Sequence, residues 1–260
     1  LQGRLNGEAV NQLDRIDVIS RAIDPYSQHY AYQALAEQPE IRFVISNTTE
    51  AGIAFDPSCK LSDAPATSYP GKLTQFLWNR FNAFDGDPTK GLIIMPCELI
   101  FLNGHHLKDC IRKYIELWTP DFGEKAQAFS EWFEKYNYVC ATLVDRIVPG
   151  YPRNDAEAFQ LDLGYQDQNM VVGEIFHLWC IDAQTTECPE CAKKNLEALK
   201  AALPTEKAGL NVLFVDSIVP YKQRKVKILN GSHTTLVPVS YLAGIDAVKE
   251  TIEDPVLGKF

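Results

Sequence analysis

The sequence lacks the short motifs that identify several large enzyme classes. It contains no GxSxG, which argues against a serine hydrolase, and no HExxH, which argues against a zinc peptidase. It also contains neither a Walker A loop nor a GxGxxG turn, so no nucleotide site can be predicted from its glycines. A GxGxxG turn would normally lie in the first strand–helix unit, upstream of Leu1, and we expect the chain to be an internal piece of a longer protein.

Long apolar runs and paired cysteines are scarce as well. No run of eighteen apolar residues predicts a transmembrane helix, and the first residues do not resemble a signal peptide. The seven cysteines, an odd number lying mostly in apolar runs, favour reduced thiols in a cytoplasmic protein. Only Cys188 and Cys191 have ligand-like spacing, and without a second CxxC we predict no metal site. We interpret the pair as a surface turn that enters a helix, with a metal or redox role left open.

The balance of charge limits the partners. A formal net charge of −9 argues against nucleic acid, because an acidic surface repels phosphate backbones. A composition of 46% hydrophobic and 23% charged residues is typical of a globular protein. We therefore expect no nucleic-acid partner and no membrane; the oligomeric state cannot be predicted.

The order of apolar segments predicts alternating strands and helices before about residue 217. The predicted strands are residues 16–20, 41–46, 91–96, 170–180 and 210–215, and the predicted helices are residues 26–37, 72–84, 107–118, 126–136 and 188–203. This order favours a parallel sheet covered by helices. From Pro220 onward the spacing is helical, which predicts two domains, residues 1–216 and 217–260.

Polar loops follow two of the predicted strands, 41–46 and 91–96, and the short apolar run Leu143-Val144. They are residues 46–50, 97–99 and 145–146, and ligands of parallel sheets bind at the carboxyl ends of strands. Two of these loops could instead be purely structural: the loop at Asn47 could cap a following helix, and Asp145 with Arg146 could form an ion pair at a strand end. The apolar surroundings of His177 predict a satisfied, half-buried side chain, and His105 with His106 more simply decorates a helix start than binds a metal.

Near the end of the sequence, Lys225, Asn230 and His233 place an amine, a carboxamide and an imidazole at positions i, i+5 and i+8. On an α-helix, at about 100° per residue, the three project within an arc of about 140°. Such a face offers a proton carrier, a donor for a developing oxyanion and a group that orients a hydroxyl. The alternative is a solvated basic helix with an incidental histidine.

Four segments, residues 46–52, 96–104, 143–152 and 225–233, occur in an order that resembles the mannitol dehydrogenase family of long-chain polyol-specific dehydrogenases/reductases. The resemblance covers nearly the whole chain and is greatest to the hexuronate-reducing branch. It implies an α/β fold, with a partial Rossmann-type parallel-sheet domain (1–216) followed by the start of a mostly α-helical C-terminal domain (217–260). It also implies NAD as the cofactor and a small-molecule sugar acid or polyol as the partner. The implied reaction is a metal-independent hydride transfer to a sugar carbonyl, as between tagaturonate and altronate.

The resemblance also implies roles for individual residues. Lys225 would be the general acid/base, Asn230 would help to polarise the carbonyl, and His233 would contact the substrate. The other positions belong to two groups: substrate-binding Asp145 and Arg146, and cofactor-binding Asn47, Thr49 and Glu50. Arg146 and Lys227 are the candidate partners of a substrate carboxylate.

Three positions depart from the polyol-specific members that the chain resembles. Leu99 stands where many of them carry an asparagine that donates to the oxyanion, Ala141 replaces an asparagine, and Lys222 replaces a glutamate. The sequence Cys97-Glu98-Leu99 is similar to that of the hexuronate branch. The alternatives are a fructuronate reductase, a mannitol 2-dehydrogenase, or a catalytically incomplete piece that binds no cofactor.

Overall fold

The structure, a computed structural model, describes residues 1–5, 8–183 and 189–259, with the backbone alone at residues 4, 5 and 189–192. The chain divides into two compact units, Leu1–Asp216 and Ser217–Phe260. Among the described residues, none of the helices combines the length and the apolar character that a membrane crossing requires.

The first unit alternates strands and helices, as predicted. Its strands are β1 Gln2–Leu5, β2 Glu8–Asn11, β3 Phe43–Ser46, β4 Ile93–Pro96, β5 Tyr138–Val139, β6 Ala141–Asp145, β7 Leu178–Asp182 and β8 Val212–Phe214. Its helices are α1 His29–Ala34, α2 Tyr69–Ala83, α3 Asn103–Leu117, α4 Thr119–Phe122, α5 Ala126–Tyr136, α6 Ala156–Leu163 and α7 Pro189–Ala202. The predicted helix over residues 126–136 coincides with α5.

The central strands form two short sheets that share one extended segment. β3, β4 and β5 are parallel neighbours in that order, and β6, β7 and β8 form the second sheet. Only Cys140 separates β5 from β6, and its N–H donates to the carbonyl oxygen of Ile94 at 2.8 Å. The backbone of residues 138–145 therefore links the two sheets side by side.

Side chains alternate between the two faces of this sheet, as a strand requires. Ile94 and Val139 pack with the aromatic side chains of α2, α3 and α5. Their neighbours Ile93, Met95 and Cys140 pack with the second core cluster, which includes Leu199 of α7. Burial on both faces explains the continuous apolar run of β4. The predicted α/β class, a Rossmann-type parallel sheet with helices on its faces, is confirmed.

Helix α2 illustrates why the helices form where they do. The Ser68 hydroxyl accepts the N–H of Gly71 at 3.0 Å, and Pro70 lies in the first turn. Serine is a preferred N-cap, and proline is tolerated there because its missing N–H would have had no partner. The chain leaves the helix through Asp85 and Gly86, both with positive φ.

Two predicted strands were wrong in whole or in part. Residues 16–20 form no strand, and Ile16, Val18 and Ile19 are 70%, 85% and 74% exposed. β-branched residues favour strands only where a neighbouring backbone and an apolar surface are available.

The predicted strand over residues 170–180 is real only from Leu178 onward. The preceding residues run beside residues 147–150, with single bonds such as Val172 N–H to the carbonyl oxygen of Gly150 at 2.9 Å. Pro149 has no N–H to donate, so a continuous ladder cannot form there. β7 is also antiparallel to β6, whereas β8 is parallel to β7, so the sheet is not parallel throughout.

The second unit is helical over its described residues. It consists of α8 Val219–Arg224, a π-helix over Lys225–Asn230, α9 Gly231–Leu242 and α10 Val248–Glu253, with a final 3₁₀ turn over Leu257–Lys259. The helical spacing predicted from Pro220 onward is confirmed, but a π-helix was not expected.

Candidate active site

The carboxyl ends of β3 and β4 lie side by side in the first unit, next to the start of β6. Ser46 and Pro96 are partners at the last positions of β3 and β4. The N–H of Cys97 donates to the carbonyl oxygen of Ser46 at 2.7 Å, and the hydroxyl of Thr142 in β6 donates to the carbonyl oxygen of Pro96. In doubly wound sheets, ligands bind in the crevice outside the carboxyl ends of the strands. This edge is therefore the candidate ligand edge of the first unit.

A buried carboxylate holds the loop that follows β3. Glu98 is only 2% exposed. Its Oε1 accepts the N–H of Thr48 at 2.9 Å and the Thr48 hydroxyl at 2.7 Å, and its Oε2 accepts the Ser46 hydroxyl at 3.1 Å. Because a carboxylate accepts at both oxygens, one side chain connects the loops after β3 and β4.

The loop at residues 47–52 makes a tight turn. Thr49 has a φ of +78°, which is uncommon for a β-branched residue. The N–H of Gly52 donates to the carbonyl oxygen of Thr49 at 3.1 Å. A Cβ atom at Gly52 would collide with the side chain and carbonyl oxygen of Thr48, so this position requires glycine.

This turn presents the three predicted cofactor-binding residues to solvent. Asn47, Thr49 and Glu50 are exposed, whereas Ser46 is buried and Thr48 is partly buried. No helix begins directly after them, since the next helix is α2 with its own cap. The interpretation of this loop as a helix N-cap is therefore wrong.

Asn103, the first residue of α3, forms hydrogen bonds with the end of β4, the loop after it and the start of β6. Its Nδ2 donates to the carbonyl oxygens of Pro96, Glu98 and Thr142 at 2.8, 3.0 and 3.0 Å. Its Oδ1 accepts the N–H groups of Gly104 and Thr142 at 2.8 and 2.9 Å. One fully buried amide thus fixes β4, β6 and the start of α3 relative to one another.

Cys97 and Leu99, the neighbours of Glu98 in the loop after β4, offer no strong nucleophile and no strong hydrogen-bond donor. Burial raises the pKa of Cys97 to about 11, so its thiol stays protonated and weakly nucleophilic near neutral pH. Leu99 is 46% exposed and has no polar atom on its side chain to donate to an oxyanion.

The two predicted substrate-binding residues lie at the far end of β6. Asp145 is the last residue of that strand, three residues beyond Thr142, which corresponds to about 10 Å along the strand. Nε of the exposed Arg146 donates to the carbonyl oxygen of Glu174 at 2.9 Å. This contact fixes the guanidinium group beside the segment that precedes β7.

In the second unit, Lys225 and Asn230 are the first and last residues of the π-helix. The N–H of Gly231 donates to the carbonyl oxygen of Val226, five residues back. Because the bonds span five residues instead of four, residue i+5 takes roughly the place above residue i that i+4 takes in an α-helix. The arc of about 140° expected for an α-helix is therefore wrong: Lys225 and Asn230 lie closer to one face. Single π-turns inside α-helices occur often at functional sites.

His233 lies on the first turn of α9 and is exposed. Its Nδ1 is 2.8 Å from the carbonyl oxygen of Leu229. A carbonyl oxygen only accepts, so Nδ1 carries the proton and Nε2 is the acceptor of the neutral ring. His233 can thus orient a hydroxyl that donates to Nε2.

The structure groups the predicted site residues into three places. Asn47, Thr49 and Glu50 share the turn after β3; Asp145 and Arg146 lie at the end of β6; and Lys225, Asn230 and His233 lie on the π-helix and the turn that follows it. His177 is half-buried and satisfied, as predicted, because its Nε2 accepts the N–H of Asn211 at 2.9 Å. His105 and His106 lie in the first turn of α3.

Sequence reasoning missed the two buried polar residues that organise this edge, Glu98 and Asn103. Residues 46–49 are all polar in the sequence, so nothing local showed that Ser46 and Thr48 are anchored. Their partner Glu98 lies 52 and 50 residues away from them. Cys188 and the side chain of Cys191 lie outside the described residues. Among the side chains that the structure describes, no group of three or more from His, Cys, Asp or Glu could hold a metal ion.

Comparisons with known proteins agree with this architecture. The sequence profile of the mannitol dehydrogenase Rossmann domain matches residues 5–195, and that of the mannitol dehydrogenase C-terminal domain matches residues 217–260. The chain is 58% identical over 260 residues to an altronate oxidoreductase of Phocaeicola vulgatus and 44% identical over 260 residues to one of Bacillus subtilis. Each match covers 100% of this chain and 51% of the relative, so the chain spans about half the length of these curated relatives.

Two solved structures share the fold. A D-sorbitol dehydrogenase in substrate-free form matches with a TM-score of 0.66 and 23% identity, over 90% of this chain and 46% of that one. The Pseudomonas fluorescens mannitol 2-dehydrogenase, in a ternary complex with NAD and D-mannitol, matches with a TM-score of 0.60 and 22% identity, over 90% and 45%. The fold, the two matched domain profiles and the identity to curated relatives place the chain in the mannitol dehydrogenase family.

Proposed function

We propose that the protein carrying this chain is an NAD-dependent oxidoreductase that interconverts tagaturonate and altronate without a metal. The observation that carries the proposal is the 58% identity, over all 260 residues, to a relative named altronate oxidoreductase. Residues 1–216 would bind the nucleotide, and residues 217–260 would begin the helical catalytic domain. A cytoplasmic location is supported by the described cysteines that are buried and not joined in disulfides, namely Cys59, Cys97, Cys110, Cys140 and Cys180.

The ligand edge of the first unit fits a dinucleotide. The exposed turn at Asn47, Thr49 and Glu50 offers an amide, a hydroxyl and a carboxylate at the carboxyl end of a parallel strand. These groups suit ribose hydroxyls and a carboxamide, and the crevice at such strand ends is where doubly wound folds bind dinucleotides. The preference for NAD over NADP is part of the proposal and is supported by the NAD in the complex of the related mannitol 2-dehydrogenase.

The residues of the second unit would handle the proton. When bound, the nicotinamide supplies a hydride to the ketone carbon. Lys225 gives a proton to the ketone oxygen in the reducing direction and takes it back in the other. The Asn230 amide donates to the same oxygen, an effect often worth about 3 kcal/mol, and Nε2 of His233 accepts from a substrate hydroxyl. The π-helix supports these roles for Lys225 and Asn230 because it brings the amine and the amide toward one face of the helix.

Two further residues would recognise the substrate. Asp145 would accept hydrogen bonds from hydroxyl groups. Arg146 would pair with the carboxylate, because its Nε is fixed by Glu174 while its two other guanidinium nitrogens can form a bidentate pair. Lys227, an exposed residue of the π-helix, is the second candidate for the carboxylate.

Substrate comparison is the first test. NADH oxidation by the purified protein should be fastest with tagaturonate, slower with fructuronate and slowest with fructose, and NADPH should be a poorer donor. Treatment with a chelator should leave the rate unchanged. A preference for fructose or fructuronate would assign the protein to another branch of the family, and calorimetry that detects no binding of NADH or NADPH would favour a catalytically incomplete chain.

The second test changes Lys225 to alanine. We expect turnover to fall by about 10²–10⁴-fold, the range of general acid–base catalysis, with the circular dichroism spectrum unchanged. The matched control is Lys249→Ala, since Lys249 is an exposed lysine of α10 that pairs with Glu253 at 3.7 Å. Near-normal turnover of the Lys225 variant would rule out its role as the acid/base.

A further inference from the structure

Glu98 is a buried acid that the proposed mechanism does not use. It lies at the carboxyl ends of β3 and β4, where the first unit would meet its ligand, and is 2% exposed. Its carboxylate accepts three hydrogen bonds, two from Thr48 at 2.7 and 2.9 Å and one from Ser46 at 3.1 Å. A buried carboxylate is costly to desolvate, so such a residue is expected to serve a specific purpose.

The three bonds hold two alternate residues, Ser46 at the end of β3 and Thr48 in the loop that follows it. Ser46 and Thr48 are held against the carboxylate, whereas Asn47 and Thr49 between and after them are exposed. Successive side chains of an extended chain point to opposite sides, so anchoring one set presents the other. Directly afterwards Thr49 adopts a φ of +78°, a conformation that a β-branched residue keeps only where its surroundings enforce it.

We propose that Glu98 is a positioning residue that holds Ser46 and Thr48 so that Asn47, Thr49 and Glu50 are presented to the dinucleotide. The inference rests on the proposed function, because it takes the turn after β3 as part of the cofactor site. It adds a residue that need not touch the ligand and yet sets the affinity for it. In free protein without Glu98, the loop would sample several conformations, and binding would have to select one of them.

The chemistry of the side chain predicts which substitutions are tolerated. A glutamine has the same length, and its amide oxygen can accept both bonds from Thr48. Its NH₂ group then donates to the hydroxyl of Ser46, which can accept as well as donate. Alanine removes every acceptor and leaves the N–H of Thr48 without its bond. The loop should therefore survive Glu98→Gln and loosen in Glu98→Ala.

The experiment compares Glu98→Ala, Glu98→Gln and the unsubstituted protein for the dissociation constant of NADH, kcat, KM for NADH, and hydrogen exchange at the amides of residues 47–52. For Glu98→Ala we expect the dissociation constant and KM to rise about tenfold or more, kcat at saturating NADH to change less than about threefold, and exchange at Thr48 to accelerate. Glu98→Gln should stay within about threefold of the unsubstituted protein. The control is Glu134→Gln, which changes another hydrogen-bonded glutamate. Glu134 of α5 accepts a hydrogen bond from Nε of Arg112 in α3 at 2.7 Å, and its replacement should leave the affinity for NADH unchanged.

The outcomes separate the inference from the proposed function. If the unsubstituted protein binds NADH and Glu98→Ala binds it equally well, the inference fails and the function stands. Equal falls in kcat and affinity for the alanine and glutamine variants would indicate a general structural role and would also overturn it. If the unsubstituted protein binds neither NADH nor NADPH, the proposed function fails and the inference fails with it.

Discussion

Replacing Asn103 by alanine should destabilise the first unit more than most single substitutions. The side chain is fully buried and touches five backbone groups of β4, β6, the following loop and α3. Alanine keeps the helix start but removes every one of these contacts. The buried carbonyl and N–H groups that remain lose this partner, and unsatisfied buried groups are costly.

The size of the effect follows from counting the bonds. The NH₂ group has two hydrogens for the three carbonyl oxygens of Pro96, Glu98 and Thr142, so one hydrogen is shared, and the amide oxygen accepts twice. Four full hydrogen bonds at about 1 kcal/mol net each give a loss of about 4 kcal/mol. For a domain of this size, each kcal/mol lowers Tm by about 2–4 °C, so Tm should fall by about 8–16 °C.

Urea unfolding followed by tryptophan fluorescence measures this loss directly, because all 4 tryptophans of the chain lie in the first unit. The matched control is Asn82→Ala. Asn82 is only partly buried and makes two side-chain contacts, to the carbonyl oxygen of Trp78 at 2.9 Å and with Lys125 at 2.9 Å. Its replacement should cost less than about 1 kcal/mol. A loss below about 1 kcal/mol for Asn103→Ala would refute the view that this amide fixes the strand ends.

Two other substitutions test neighbouring parts of the first unit. Gly52→Ala should lower the free energy of unfolding by about 1–3 kcal/mol and weaken NADH binding, because the new methyl group collides with Thr48. Calorimetry measures the affinity for NADH, and an unchanged affinity would contradict the placement of this turn in the cofactor site. Burial raises the pKa of Glu134, but the bond from Arg112 and the charge of Lys108 outweigh it and hold this pKa below its usual value. Its contribution to stability is therefore present above the unfolded pKa of about 4.3 and is lost as the pH falls through the lower folded pKa. In urea unfolding from pH 3 to 7, Glu134→Gln should differ from the unsubstituted protein above about pH 5 and converge with it in acid; a difference independent of pH would disprove this linkage.

The parts of the fold that could be predicted from the sequence are those set by local periodicity. The apolar residues Leu73, Phe76, Leu77 and Phe81 recur at helical spacing, and all four are buried on one side of α2. The apolar run at residues 91–96 correctly predicted a strand. Both faces of β4 are covered by the protein, and a strand buried on both faces has apolar side chains at successive positions.

The failures have a different physical origin. Residues 16–20 have strand composition but pair with no neighbouring backbone in the described part of the chain, and composition cannot reveal a missing neighbour. The roles of Glu98 and Asn103 depend on contacts with residues 39–52 positions away in the sequence. Their side-chain chemistry was visible in the sequence, but their partners were set by the order of strands in the sheet.

The π-helix corrects the geometry that the sequence predicted for Lys225 and Asn230. A separation of five between Lys225 and Asn230 is awkward on an α-helix, where the two side chains would point about 140° apart. One wider turn removes that difficulty, because bonds such as Gly231 N–H to Val226 bring the fifth residue round above the first. A π-turn weakens regular α-helical bonding and is rare, so its position over the segment that carries the amine and the amide calls for a compensating gain. Shared access of both groups to one substrate oxygen is such a gain, and the wider turn is then part of the proposed catalytic site and not an irregularity of the helix.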